Sequence, residues 1–148
     1  MICSDKTGTL TQGNMAVINI VGDTDTLALQ ALVANDQDNA VGIATAVWAK
    51  QHVYEATLQG QYERVDSIPF SSDNKFFASL NKRNDKENMM FVNGAPDYLL
   101  EWSNLDAAKK QEIKKQIDEL TNLGYRLVGY GRKIVVADIT KISINDVK

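Results

Sequence analysis

The chain has 148 residues, 44% hydrophobic and 24% charged, with a formal net charge of -3. That length fits one domain with enough chain to bury a core, and the mildly acidic balance speaks against a nucleic-acid partner. A single cysteine, Cys3, excludes an internal disulfide, and a single histidine, His52, excludes a histidine-based metal cluster.

The N-terminus carries no basic region followed by an apolar stretch, so no signal peptide is read there. The longest apolar run, "AVGIATAVWA" at 40–49, falls short of the ~20 residues that span a bilayer, and the chain as given reads as soluble.

In chain order, "MAVINIVG" (15–22) is rich in branched apolar residues and predicts a strand. Asp23, Thr24 and Asp25 supply a turn and a helix cap. A helix over 26–36 would place Leu29, Leu32 and Val33 on one face. A second helix over 39–52 would turn Ile43, Val47 and Trp48 inward, although Gly42 weakens it by ~1 kcal/mol relative to Ala.

From residue 61 the pattern becomes extended. "QYERVDSIPF" (61–70) is a strand that Pro69 confines to an edge or an end. The runs 75–82 and 88–93 flank the polar turn "RNDKE" and predict a hairpin. A short helix follows over 94–102, with Pro96 in its first turn. Ser103 and Asp106 resemble a capping box for a long helix over 104–123, with Ile113, Ile117 and Leu120 on one stripe and Gly124 at its end. Residues 125–138 return to strand. The connections between the three middle strands are too short for parallel crossovers, so the expected fold is α+β: a mainly antiparallel sheet with flanking helices.

The densest chemistry lies in "DKTGTLT" at 5–11. An aspartate with an ordinary pKa of ~3.9 is ionised at neutral pH and can accept a phosphoryl group covalently. Gly8 lets a phosphate approach the backbone, and Thr7, Thr9 and Thr11 offer hydroxyls. Such a nucleophile needs Mg²⁺ and donors around the transferring group. Read without context, a D-x-T-G-T stretch is equally a polar turn closing a strand.

The full heptapeptide resembles the phosphorylation motif of the P-type cation-transporting ATPases, and three later stretches are similar to motifs of that family's nucleotide-binding domain. These are "PFSSDNKFF" (69–77), "FVNGAPDYLL" (91–100) and "GYRLVGYG" (124–131). The resemblance covers nearly the whole chain. It implies Asp5, Lys6, Thr7 and Thr9 as catalytic residues, with Asp5 becoming the aspartyl phosphate and Thr9 contacting the phosphate. Asp5 and Thr7 would hold Mg²⁺ in the intact pump, Thr7 through its backbone carbonyl. It further implies Phe70, Ser71, Lys75, Asn93, Gly94 and Arg126 as nucleotide-binding residues. Phe70 would stack on adenine, Lys75 would lie along the nucleotide and Arg126 would contact phosphate.

Two positions depart from the family's pattern. Asn93 stands where the family has a lysine, and Gly42 stands where many members have an acidic residue facing the adenine amino group. Asn39 reads either as a helix cap or as a ligand. Trp48 and Trp102 read as packing residues, His52 as a solvent-facing helix terminus, and Cys3 as a buried strand residue or a modification target.

The resemblance implies the ATP-binding, cytoplasmic-facing domain of an integral membrane pump. Residues 1–13 would be an incoming hinge with the phosphorylation motif, 14–138 the nucleotide-binding domain and 139–148 an outgoing hinge. Its partners would be adenine nucleotide, as MgATP, and the phosphorylation, actuator and transmembrane domains of the same pump, with no nucleic acid. The fragment would be monomeric and catalytically inactive alone. The transported ion is not legible, beyond a hint of calcium or a similar divalent cation. The competing readings are a stand-alone aspartate-nucleophile phosphatase and a non-catalytic nucleotide-sensing or interaction domain.

Overall fold

The computed structural model describes residues 2–4, 15–35, 39–53 and 61–147. In chain order its elements are β1 (Ile2–Ser4), β2 (Val17–Ile20), α1 (Thr24–Val33), α2 (Ala40–Lys50), β3 (Arg64–Ile68), β4 (Phe76–Lys82), β5 (Glu87–Gly94), α3 (Pro96–Trp102), α4 (Ala107–Asn122), β6 (Arg126–Val136) and α5 (Ile144–Val147). The strands form one six-stranded sheet in the order β2-β1-β6-β5-β4-β3, and every pairing is antiparallel. The α+β fold with an antiparallel sheet and flanking helices is therefore the observed one. β1 is the strand expected around Cys3, and α5 joins the expected elements; a four-residue helix is too short for periodicity to reveal.

Helices α1, α2 and α4 begin where a short side chain meets their unpaired amide groups, whereas α3 starts at Pro96 with no side-chain cap. The Asp23 carboxylate accepts from the Thr26 amide at 2.8 Å and opens α1. The Asn39 side chain accepts from the Gly42 amide at 2.9 Å and opens α2. Asp106 does the same for α4, accepting from the Lys109 amide at 2.8 Å. The Ser103 capping box is not formed. Ser103 instead ends α3, its Oγ donating to the Leu100 carbonyl at 2.7 Å, because three non-helical residues separate it from the first turn of α4.

The sheet carries a core on each face. On one face Phe76, Ala78, Leu80, Met90 and Val92 pack with Leu99 and Trp102 of α3 and with Val147 of α5. Gly129 lets α3 come close, since a Cβ there would lie 3.0 Å from the Pro96 Cα. The segment 139–147 is fastened across this face: the Ile142 amide donates to the Asp66 carboxylate at 2.8 Å, and Asn88 Nδ2 donates to the Ile139 carbonyl at 2.9 Å.

On the opposite face Phe77, Met89 and Phe91 pack against Ala34, while Leu27, Ala28 and Ala31 of α1 meet Trp48 and Ala49 of α2. The expected inward faces of both helices are corrected here. Trp48 is buried as expected, but Ile43 and Val47 are more than half exposed, and Ala44, Thr45, Ala46 and Ala49 are buried in their place. In α1 the buried residues are Leu27, Ala28, Gln30 and Ala31; of the expected stripe, Leu32 and Val33 pack against the core while partly buried, as Leu29 is. Small side chains let the two helices approach closely, and that contact outweighs the burial of β-branched residues that a solitary helix would favour.

Replacing Asp106 by Ala should destabilise the domain by ~0.5–2 kcal/mol in urea unfolding. Ser103→Ala should cost less, because Ser103 does not cap α4; an equal or larger loss there would contradict the observed capping.

Candidate functional site

A cleft of about 360 Å³ opens beside β6, between the α1–α2 connection and the N-terminal end of β4. Its floor is a cross-strand row. Phe77 of β4 pairs with Asn93 of β5, which pairs with Tyr130 of β6. Arg126 and Val128 share the face of Tyr130, since alternate strand residues point the same way, and both line the cleft. The other wall comes from Asn35, Asn39, Val41, Gly42 and Thr45. Phe70 and Lys75 stand at the rim, Phe70 with 48% of its surface exposed.

The polar groups of the floor are tied to one another. Asn35 and Thr45 are buried. Asn35 Nδ2 donates to the Gly42 carbonyl at 2.7 Å, and Thr45 Oγ1 donates to the carbonyls of Val41 and Gly42 at 3.0 and 3.1 Å. Asn93 Nδ2 donates to the Ala34 carbonyl at the end of α1. Arg64 closes the same helix end: its guanidinium donates to the Val33 carbonyl at 2.9 Å and lies 5.3 Å over the Phe77 ring. Cations at a helix C-terminus satisfy carbonyls that have no partner within the helix. Burial pushes the Tyr130 phenol up to about 12, against a smaller lowering by its hydrogen bond with Thr45, so it stays protonated at neutral pH.

Lys75 has a fixed backbone. Its φ of 58° lies in the left-handed region, uncommon for a residue with a Cβ. Its amide donates to the Ser71 carbonyl at 2.8 Å and its carbonyl accepts from the Ala95 amide at 3.0 Å. Gly94 makes this possible, because a Cβ there would lie 2.7 Å from the Phe76 Cα.

Of the residues singled out in the sequence, Phe70, Lys75, Asn93, Gly94 and Arg126 line this one cleft. Ser71 is not in its lining; its Oγ accepts from the Asn74 amide at 3.0 Å and shapes the turn that delivers Lys75. Asn39 caps α2 and also lines the cleft. Asp5, Lys6, Thr7 and Thr9 lie outside the described residues, and with them the expected Mg²⁺ ligands. Among the described residues no group of three His, Cys, Asp or Glu side chains could hold a metal ion.

Sequence reasoning did not single out Asn35, Thr45 or Tyr130. Tyr130 carried a usable signal, since it lies four residues beyond Arg126 on a strand and therefore shares its face. Asn35 and Thr45 carried none, because a polar residue at a helix end or within an Ala-rich helix reads as solvated.

A family model described as "P-type ATPase, cytoplasmic domain N" matches residues 1–142. The chain belongs to this family. It is similar to the calcium-transporting ATPase lmo0841 of Listeria monocytogenes, 24% identical over 183 residues that cover 99% of this chain and 21% of the relative. It is also similar to the putative cation-transporting ATPase MJ1226 of Methanocaldococcus jannaschii, 29% identical over 135 residues, 87% of this chain and 16% of the relative. The chain thus spans about a fifth or less of each of these relatives. Among the described residues no helix is long and apolar enough to cross a membrane.

Gly94→Ala should lower stability by ~1–3 kcal/mol in chemical denaturation, since the added methyl meets backbone that cannot yield. In alkaline titration the Tyr130 phenolate should appear at about 12, above the ordinary value of 10.0. The raised value means that stability from the neutral phenol is complete below 10.0 and is lost as pH rises through about 12. Tyr130→Phe should remove that part of the alkaline loss; an unchanged profile would count against burial of the phenol.

Proposed function

We propose that this cleft binds the adenine nucleotide and that the chain is the ATP-binding domain of a P-type cation-transporting pump, presenting MgATP for phosphoryl transfer to Asp5. The observation that carries the reading is the convergence of Phe70, Lys75 and Arg126, distant in sequence, on one cleft of ligand size.

The chemistry of the lining suits a nucleoside triphosphate. An exposed aromatic face at the rim can stack on a purine, and a floor of Phe77, Val128 and Tyr130 buries its edge. Two cations, Lys75 and Arg126, offer charge-assisted hydrogen bonds to phosphate. Asn93 supplies no charge, and one of its amide hydrogens is already given to Ala34. Gly42 offers no carboxylate to the base. Neutral groups therefore do the reading of the base edge, and the affinity expected of the isolated chain is low.

Ser4 pairs with Arg126 across β1 and β6, so the segment that leads to Asp5 starts from a strand beside the arginine read as a phosphate ligand. Transfer itself rests on positioning, because phosphoryl transfer asks the protein for alignment and electrostatic stabilisation. Asp5 would supply the attacking carboxylate oxygen and the γ-phosphoryl group would leave ADP. Closure of the domain toward the rest of the pump would bring the two together, and the isolated chain should hydrolyse almost nothing. The calcium named for the Listeria relative makes a divalent cation the cargo to test first in a full-length pump.

Titration of the chain with ATP, followed by amide signals, should perturb residues around Phe70, Lys75 and Arg126. Phe70→Ala should weaken ATP and adenosine alike by ~1–3 kcal/mol. Lys75→Ala and Arg126→Ala should each weaken ATP by ~1.5–3 kcal/mol and leave adenosine nearly unchanged. Equal perturbation by GTP and ATP, or none by either, would defeat the proposal. Turnover of a generic phosphate ester by the isolated chain would favour the phosphatase reading.

A further inference from the structure

Lys75 stands between two depressions. It lines the nucleotide cleft, yet its Nζ lies 5.6 Å over the ring of Tyr98 on α3. Tyr98 borders a second depression on the far side, with Phe76 and Trp102. The Tyr98 ring is braced edge-on by Trp102, with centroids 5.7 Å apart, and Trp102 is braced in turn by Phe76 at 5.5 Å. The ring therefore offers the ammonium a fixed π face. Among the described residues no carboxylate pairs with that ammonium, so the ring is the partner the structure gives it.

The backbone of Lys75 does not follow its side chain. Hydrogen bonds to Ser71 and Ala95 and the close approach of Gly94 hold it in the left-handed region. Only side-chain torsions decide where the charge sits. An ammonium at an exposed ring gains less than one paired with phosphate oxygens, so a polyphosphate entering the cleft outcompetes the ring.

We infer that Tyr98 is a positioning residue for Lys75: its ring holds the ammonium to one side of the empty cleft and releases it when polyphosphate arrives. Tyr98 thereby lowers affinity for phosphorylated nucleotides and leaves affinity for the nucleoside alone. The inference rests on the nucleotide reading of the cleft. It assigns a role to a residue outside that cleft's lining, and it makes the lysine's resting place a determinant of how strongly the triphosphate is preferred over the base.

The test is calorimetric titration of the 148-residue chain with ATP and with adenosine. Tyr98→Leu should bind ATP about two- to fivefold more tightly, the factor expected from losing an exposed cation–π contact in the free state. Tyr98→Phe keeps the ring and should match the unsubstituted chain. Adenosine should bind all of them equally, and the gain should vanish when Tyr98→Leu is combined with Lys75→Ala. In the unsubstituted chain the ring-shifted side-chain resonances of Lys75 should move toward ordinary values on adding ATP and stay in place on adding adenosine. That measurement needs no variant.

Weaker or unchanged ATP binding by Tyr98→Leu, a gain shared by adenosine, or a gain that persists without Lys75 would overturn the role of Tyr98 while leaving the cleft's assignment standing. Failure of the unsubstituted chain to bind either ligand would remove both.

Discussion

Backbone meets backbone at Gly94. The β4–β5 register sets Phe76 opposite Gly94, and the missing side chain lets the Lys75 carbonyl reach the amide of Ala95. Three consequences follow from that approach. Lys75 is forced into the left-handed region at the rim of the cleft. β5 ends where Pro96 can start α3 with its fixed φ and no wasted donor. The pairing also continues inward as Phe77 against Asn93 and Asn93 against Tyr130, the row that floors the cleft. A side chain at position 94 would disturb the rim, the helix start and the floor together.

The floor is then held from above by hydrogen bonds that close the ends of two helices. Asn93 and Arg64 take the last carbonyls of α1, and Asn39 opens α2. Asn35 and Thr45 share the Gly42 carbonyl, so buried polar groups in this wall are paired among themselves. This wall carries no charged side chain, and the cations of the lining are Lys75 and Arg126, both exposed. Such a distribution would suit the proposed nucleotide, whose hydrogen-bonding ring is largely apolar and whose phosphate chain is anionic.

Much of the fold was legible because it is written locally. Asp23 and Gly124 announce helix ends through a side chain and a positive φ of 85°, and the polar turn between β4 and β5 announces a hairpin. The reading failed where a neighbour outweighed the local pattern. Ile43 and Val47 look like a core stripe, yet Trp48 and Ala49 of α2 are what pack against Ala28 and Ala31. Ser103 looks like a cap, yet its hydroxyl turns back to Leu100.

Sequence alone determined the antiparallel α+β architecture, through connections too short for crossovers, and it marked Phe70, Lys75, Asn93, Gly94 and Arg126 through motifs a few residues long. The tertiary structure decided which of these share a cavity, and it added Asn35, Thr45 and Tyr130. The reason is physical. Caps, turns and strand alternation depend on neighbours within a few residues, whereas the cleft depends on strand order and register. The Asn93 amide meets the Ala34 carbonyl across 59 positions of chain, a distance over which no periodicity carries information.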